Sequence, residues 1–259
     1  MNRFFMVIWL NTLMVISIVS SSIISAQTHI VATSNGISLP EGCYVTFRGE
    51  CDINSDSKTE TVYVYARKEN DESDICEDTN IAVVTQDGLL RRTNHSGVSG
   101  SNQEVHISDF NSDGIKDILV ILSKGNEKTC MIGDFAHSMP KNIITPKDLK
   151  GLEMKLAFTD GFAVSAELEN GQIFSVNVSQ SAQKLCESGV FDPNGTFVCG
   201  TPVISPITQI SVKEHDFGSN LVFTQQLIAK ESNIVLCNIQ AEMEYTGDTL
   251  LIKRIEYYV

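Results

Sequence analysis

This 259-residue sequence predicts an all-β protein: a partial β-propeller-like array of short antiparallel strands, followed by a β-rich C-terminal half. Three observations carry that expectation. Short apolar or alternating runs recur between turn signals, and sustained helical periodicity is missing. One loop-plus-strand pattern also occurs twice, at an offset of 57 residues, a length that suits a four-stranded blade.

The chain opens with Arg3, an apolar stretch over 4–24 and then Ser25-Ala26-Gln27, the layout of a secretory leader cut after Ala26. About 20 apolar residues can span a bilayer. Asn11, Thr12 and Ser20-Ser21-Ser22 dilute this stretch, however, and the small residue at the cut site fits cleavage. Residues 1–26 are therefore assigned to a leader, 27–140 to two repeats, and 141–259 to a C-terminal β region that can be continuous with the first. Localisation is expected to be periplasmic or extracellular, with no membrane contact after cleavage. The alternative is a surface protein retained by an uncleaved 4–24 segment.

Strands are expected over 61–66, 81–85, 103–107, 118–122, 154–158, 173–178, 207–212, 221–228, 234–243 and 250–258. Several alternate, such as Phe174-Ser-Val-Asn-Val178, as half-buried strands do. The acidic stretch 68–79 reads as a loop and 140–146, bounded by two prolines, as a connector. Glu169-Asn-Gly171 and Tyr245-Thr-Gly-Asp248 read as hairpin turns.

Asp109-Phe-Asn111-Ser-Asp113-Gly114-Ile-Lys-Asp117 places three oxygen-bearing side chains at alternate positions, then a glycine, then a fourth carboxylate. A hard cation such as calcium takes six to eight oxygens at roughly 2.3–2.6 Å, and a tight loop can supply them this way. Asp109, Asn111, Asp113 and Asp117 would offer side-chain oxygens and Ile115 its backbone carbonyl. Gly114 would take the left-handed conformation. An EF-hand is excluded, because the twelfth position, where that motif needs Glu, is Val120. A weaker copy runs Asp52-Ile-Asn54-Ser-Asp56-Ser57-Lys-Thr-Glu60, with Asp52, Asn54, Asp56, the Lys58 carbonyl and Glu60 in the same roles. There Ser57 replaces the glycine. The match continues past the loops, setting Val62-Tyr-Val-Tyr65 on Leu119-Val-Ile-Leu122. The competing reading of each loop is an Asx-rich surface turn.

These residues resemble the FG-GAP or VCBS repeats of integrin α-chain propellers and many secreted bacterial proteins, over about residues 45–125. The resemblance implies calcium held in an inter-strand loop of a blade. Neither repeat carries Phe-Gly followed by Gly-Ala-Pro, and no third loop follows, since Glu167-Leu-Glu-Asn-Gly171 lacks the alternation. Seven such units would need more chain than 259 residues, which excludes a complete integrin-type propeller.

Removing residues 1–26, which contain Arg3 and no acid, moves the formal charge from −13 to −14. Such a surface repels nucleic acid and anionic membranes and favours a basic protein partner. Seven cysteines follow the leader, as suits an oxidising compartment. Cys43 with Cys51, Cys186 with Cys199 and Cys76 with Cys130 is one pairing open to them, leaving Cys237 unpaired; the sequence does not decide connectivity. Catalytic patterns are weak: Gly97-Val-Ser99-Gly100 lacks the spacing of a nucleophile elbow, and His95, His106 and His137 are scattered. Three sequons, at Asn94, Asn177 and Asn194, match chance expectation.

The expected function is an exported calcium-binding module that recognises another protein, with calcium structural. One alternative is suggested by similarity to small periplasmic immunity proteins that block peptidoglycan hydrolases. Another is a secreted hydrolase or carbohydrate binder that uses the calcium loop as scaffold.

Overall fold

A computed structural model describes residues 30–33, 36–93, 98–135, 141–144, 149, 151–216, 218–245 and 250–258. The expected leader lies outside them. Strands β1 (Val31–Thr33) and β2 (Gly36–Ser38) form an antiparallel hairpin in a first unit that ends at Glu41. From Gly42 to Val259 the chain forms a second compact unit.

Two four-stranded antiparallel sheets begin that unit. The first runs β3 (Cys43–Cys51), β4 (Glu60–Arg67), β5 (Glu77–Val84) and β6 (Leu90–Arg92), paired in chain order. The second repeats the plan with β7 (Ser101–Ser108), β8 (Asp117–Lys124), β9 (Glu127–Asp134) and β10 (Lys141–Ile144). Register repeats as well. Cys51 faces Glu60 in the first sheet and Ser108 faces Asp117 in the second, each residue shifted by 57. Even the bulge recurs, between Val45 and Phe47 in β3 and between Ser101 and Glu104 in β7.

A sheet covered on both faces needs central strands that are apolar on both faces, and β8 meets this with Ile118-Leu-Val-Ile-Leu122, all fully buried. Successive side chains point to opposite faces. Ile118, Val120 and Leu122 therefore join Val62, Val64, Ile81 and Val83 in a core between the two sheets. Leu119 and Ile121 enter a second core with Phe158, Val164, Val176, Leu185, Phe223 and Ile239. The equivalent faces point the same way along the chain: Val62 and Val64 address the second sheet, and Leu119 and Ile121 address the C-terminal region.

That region adds a meander of β11 (Met154–Thr159), β12 (Ala163–Leu168) and β13 (Ile173–Asn177). A single helical turn and a half, α1 (Ala182–Glu187), follows. A five-stranded sheet closes the chain: β14 (Pro202–Ile204), β15 (Gln209–His215), β16 (Gly218–Ala229), β17 (Ile234–Tyr245) and β18 (Leu250–Tyr258). β14 and β15 both pair with β16, which is followed by β17 and β18. Among the described residues no helix is long and apolar enough to cross a membrane.

The all-β expectation holds, and the 169–171 turn forms between β12 and β13. The 245–248 turn joins two strands that do pair, but 246–249 lie outside the described residues. Two expectations need correction. The segment read as a connector carries β10, whose Lys141 pairs with Asp134, so the second sheet continues past residue 140. The cysteine pairing also fails, for all seven are free thiols. Cys43 and Cys51 sit at opposite ends of one extended strand, roughly 26 Å apart at about 3.3 Å per residue, whereas a disulfide needs Cα atoms within about 7 Å. Cys76 and Cys130 belong to different cores, on either side of the second sheet. The turn between Cys186 and Cys199 does form, but their thiols point to separate carbonyls, those of Asp192 and Gly189.

Candidate metal centre

Both predicted loops are the hairpin connections between the first and second strands of their sheets. In the second loop, the side chains fold back onto the loop's own backbone. Asp109 accepts the amides of Asp113 through Oδ1 at 3.3 Å and of Gly114 through Oδ2 at 2.8 Å. Asn111 Oδ1 accepts the Asp113 amide at 3.1 Å, and Asp113 Oδ1 accepts that of Ile115 at 2.8 Å. Asp117 Oδ2 accepts the amide of Phe110 at 2.9 Å. Each of these oxygens keeps a second lone pair, so the bonds hold the ligands in place without exhausting them.

The first loop reproduces this network. Asp52 accepts from Asp56 at 3.2 Å and Ser57 at 2.9 Å, and Asn54 accepts from Asp56 at 3.0 Å. Asp56 accepts from Lys58 at 2.8 Å, and Glu60 Oε2 accepts from Ile53 at 2.8 Å. Backbone conformation agrees too. Gly114 has φ +83° and its counterpart Ser57 +67°; Ser112 and its counterpart Ser55 are both at +59°. The left-handed position expected at Gly114 is present. The second one, at Ser55 and Ser112, was not anticipated, because serine carries no such signal. Holding Ser57 there costs about 1–2 kcal/mol.

Ile53 and Phe110, next to the first ligand of each loop, are buried and anchor the loops to the sheets below. The loops also touch each other. Ser55 Oγ donates to the Gly114 carbonyl at 3.3 Å, and the Lys116 amide donates to the Ile53 carbonyl at 3.3 Å. On the far side of the second loop, the Ser219 amide donates to the Asp109 carbonyl at 2.8 Å, and the Ser219 and Ser108 hydroxyls bond at 2.8 Å. Gly218 permits this approach: a Cβ there would lie 2.5 Å from the Asp109 oxygen.

Asp117 separates the two loops chemically. It is 1% exposed, and its Oδ1 is buried without a hydrogen-bond partner. Burial, reinforced by the carboxylates of Asp134, Asp113 and Asp109, pushes Asp117 up to about 8 despite the bond from the Phe110 amide. A buried unsatisfied carboxylate oxygen is costly, and a cation among the same acids would offset that cost. The donors are carboxylates, one amide oxygen and one backbone carbonyl, a set suited to a hard divalent cation. Asp109, Asn111, Asp113, Ile115 and Asp117 thus bring these donor types together in one loop. In the first loop Asp52, Asn54, Asp56, Lys58 and Glu60 present the same donor types without an orphaned atom. Among the described residues no three His, Cys, Asp or Glu side chains close around a common point. In each loop the acid side chains instead hold the loop's own amides.

A cleft of about 470 Å³ opens elsewhere, lined by Glu153, Leu168, Glu169, Phe223, Met243 and Ile252 among others, with no Ser, His or Cys among the described residues of its walls. His95, His137 and Gly97 lie outside the described residues. His106 sits on β7 opposite Leu119. No protein-family model, curated protein or solved structure matches this chain.

Proposed function

We propose that this chain is an exported calcium-binding β protein of the VCBS/FG-GAP kind, an interaction module in which calcium serves the scaffold. The observation that most supports this reading is the partnerless Oδ1 of buried Asp117, set among Asp109, Asn111 and Asp113. A bound divalent cation supplies the positive charge these groups lack. Asp109 and Asp113 hold the loop's amides and present their remaining lone pairs. Asp117 ties the loop to the first residue of β8 and so to the core beneath. The second loop contacts both the first loop and Ser219, so ordering it braces three parts of the unit.

Thermal melts with calcium and with chelator test the proposal. Calcium raises the melting temperature of the wild type, and Asp113→Ala removes the second loop's share of the rise; a wild type indifferent to both additions overturns the assignment. The expected partner is a basic protein, and the −14 charge of the chain beyond residue 26 supports that class. A basic peptidoglycan hydrolase, inhibited in the periplasm, is its narrower form. Capture of basic partners should weaken steeply with salt, whereas salt-independent capture contradicts recognition led by charge.

A further inference from the structure

We propose that β18 pairs edge to edge with β18 of a second copy of this chain, antiparallel, about a two-fold axis at Ile255. The inference is independent of the calcium reading. β18 is the last strand of the C-terminal sheet, and among the described residues no strand pairs with its outer side. A strand of nine residues in that place presents a row of backbone donors and acceptors to any second strand. Its side chains are uncovered as well, with Leu251, Ile252, Tyr257 and Tyr258 between 41% and 52% exposed.

The residues of β18 select both the occupant and the register. Directly opposed residues of an antiparallel pair share a face. A two-fold axis across the edge must therefore pass between one residue and its own copy. An axis at Lys253, Arg254 or Glu256 sets like charges directly opposite each other, which is destabilising. An axis at Ile255 instead sets Arg254 opposite Glu256 of the second copy, and Glu256 opposite the second copy's Arg254. No other position in β18 opposes unlike charges in this way. Ile255, opposite Ala241 of β17, packs against the core beneath. Arg254 and Glu256 lie on the other face, their side chains 62% and 52% exposed, and already pair with each other within the chain. Across the axis the two pairs form a square of alternating charge. Exposed ion pairs add little stability, so the square sets the register, while backbone pairing and newly covered apolar side chains hold the copies together.

Sedimentation velocity of the full chain over a wide range of protein concentration tests this. Wild type shows a reversible monomer–dimer equilibrium. Arg254→Glu and Glu256→Arg each lose the dimer, because like charges then meet across the axis. Mixed in equal amounts, the two variants dimerise with each other, since every opposed pair is again unlike in sign; a merely structural role for either residue predicts no such rescue. Melting curves show whether each variant is folded. Arg254→Glu also meets Glu242 across β17; if it does not fold, Glu256→Arg, opposite the neutral Gln240, and the double variant with both changes take its place. The double variant restores the unlike pairs and the dimer. A wild type that stays monomeric overturns the inference, as does a dimer that survives the reversals or is not restored by mixing or by the double change.

Discussion

The loops at 52–60 and 109–117 share one backbone template and differ in chemistry. Their hydrogen bonds correspond one for one, and both hold two left-handed residues in the same places. Yet the first has serine where the second has glycine, and glutamate where the second has aspartate. Glu60 and Asp117 each accept the amide beside the first ligand, but only Asp117 leaves an oxygen buried and unmatched. The loop conformation is therefore maintained by its own Asx bonds and its anchoring residue, Ile53 or Phe110. The two loops differ instead in the acid at the strand entry, and in the proposed calcium reading that acid would set the difference in affinity.

Neutralising Asp117 should break this contrast most severely. With a dissociation constant of ~0.1 mM and ~1 mM calcium, binding adds about 1.4 kcal/mol per site. Asp117→Asn should remove that gain at the second loop and stabilise the protein in chelator at neutral pH, since it spares the proton uptake that burial of Asp117 forces on folding. Glu60→Gln should change the calcium response less. Chemical denaturation at fixed free calcium reads both.

Exchanging the left-handed residues sharpens the comparison by a smaller amount. Ser57→Gly should stabilise the protein by up to ~1 kcal/mol through relief of strain, and Gly114→Ser should destabilise it by about 1–2 kcal/mol. Effects of opposite sign in chelator, the Gly114→Ser loss being the larger, would identify backbone strain as the cause. The smallest effect belongs to the contact between loops. Ser55→Ala removes the bond to the Gly114 carbonyl, an exposed neutral bond contributing about 0.5–1.5 kcal/mol at most. The loss should be the same with and without calcium, since the serine is no ligand.

Much of this was legible in the residues. The alternate oxygens, the glycine and the apolar run after Asp117 locate the second loop, its strand and its repeat. Strand β8 was readable because burial on both faces demands an unbroken apolar run. Strand β3 was not, since Arg48, Gly49 and Glu50 interrupt its pattern, and neither was β12, whose Ala163 and Ser165 carry little signal. Asp134 was invisible for a different reason. It lies 17 positions from Asp117, and only the pairing of β8 with β9 brings the two acids near enough to interact. Gly218 and Ser219 were hidden likewise, as their role depends on where the C-terminal sheet meets the second loop. The Cys43–Cys51 pairing fails because one extended strand separates its ends.

The central claim is that the loop at Asp109 holds a divalent cation and that Asp117 is the group that requires it. Calorimetric titration of wild type, Asp117→Asn and Glu60→Gln with calcium chloride tests this most directly. The account predicts a binding isotherm for wild type and for Glu60→Gln, and loss of the stronger component in Asp117→Asn. An Asp117→Asn protein that titrates as wild type does, or a wild type that gives no binding heat and no calcium-dependent shift in melting, would contradict it.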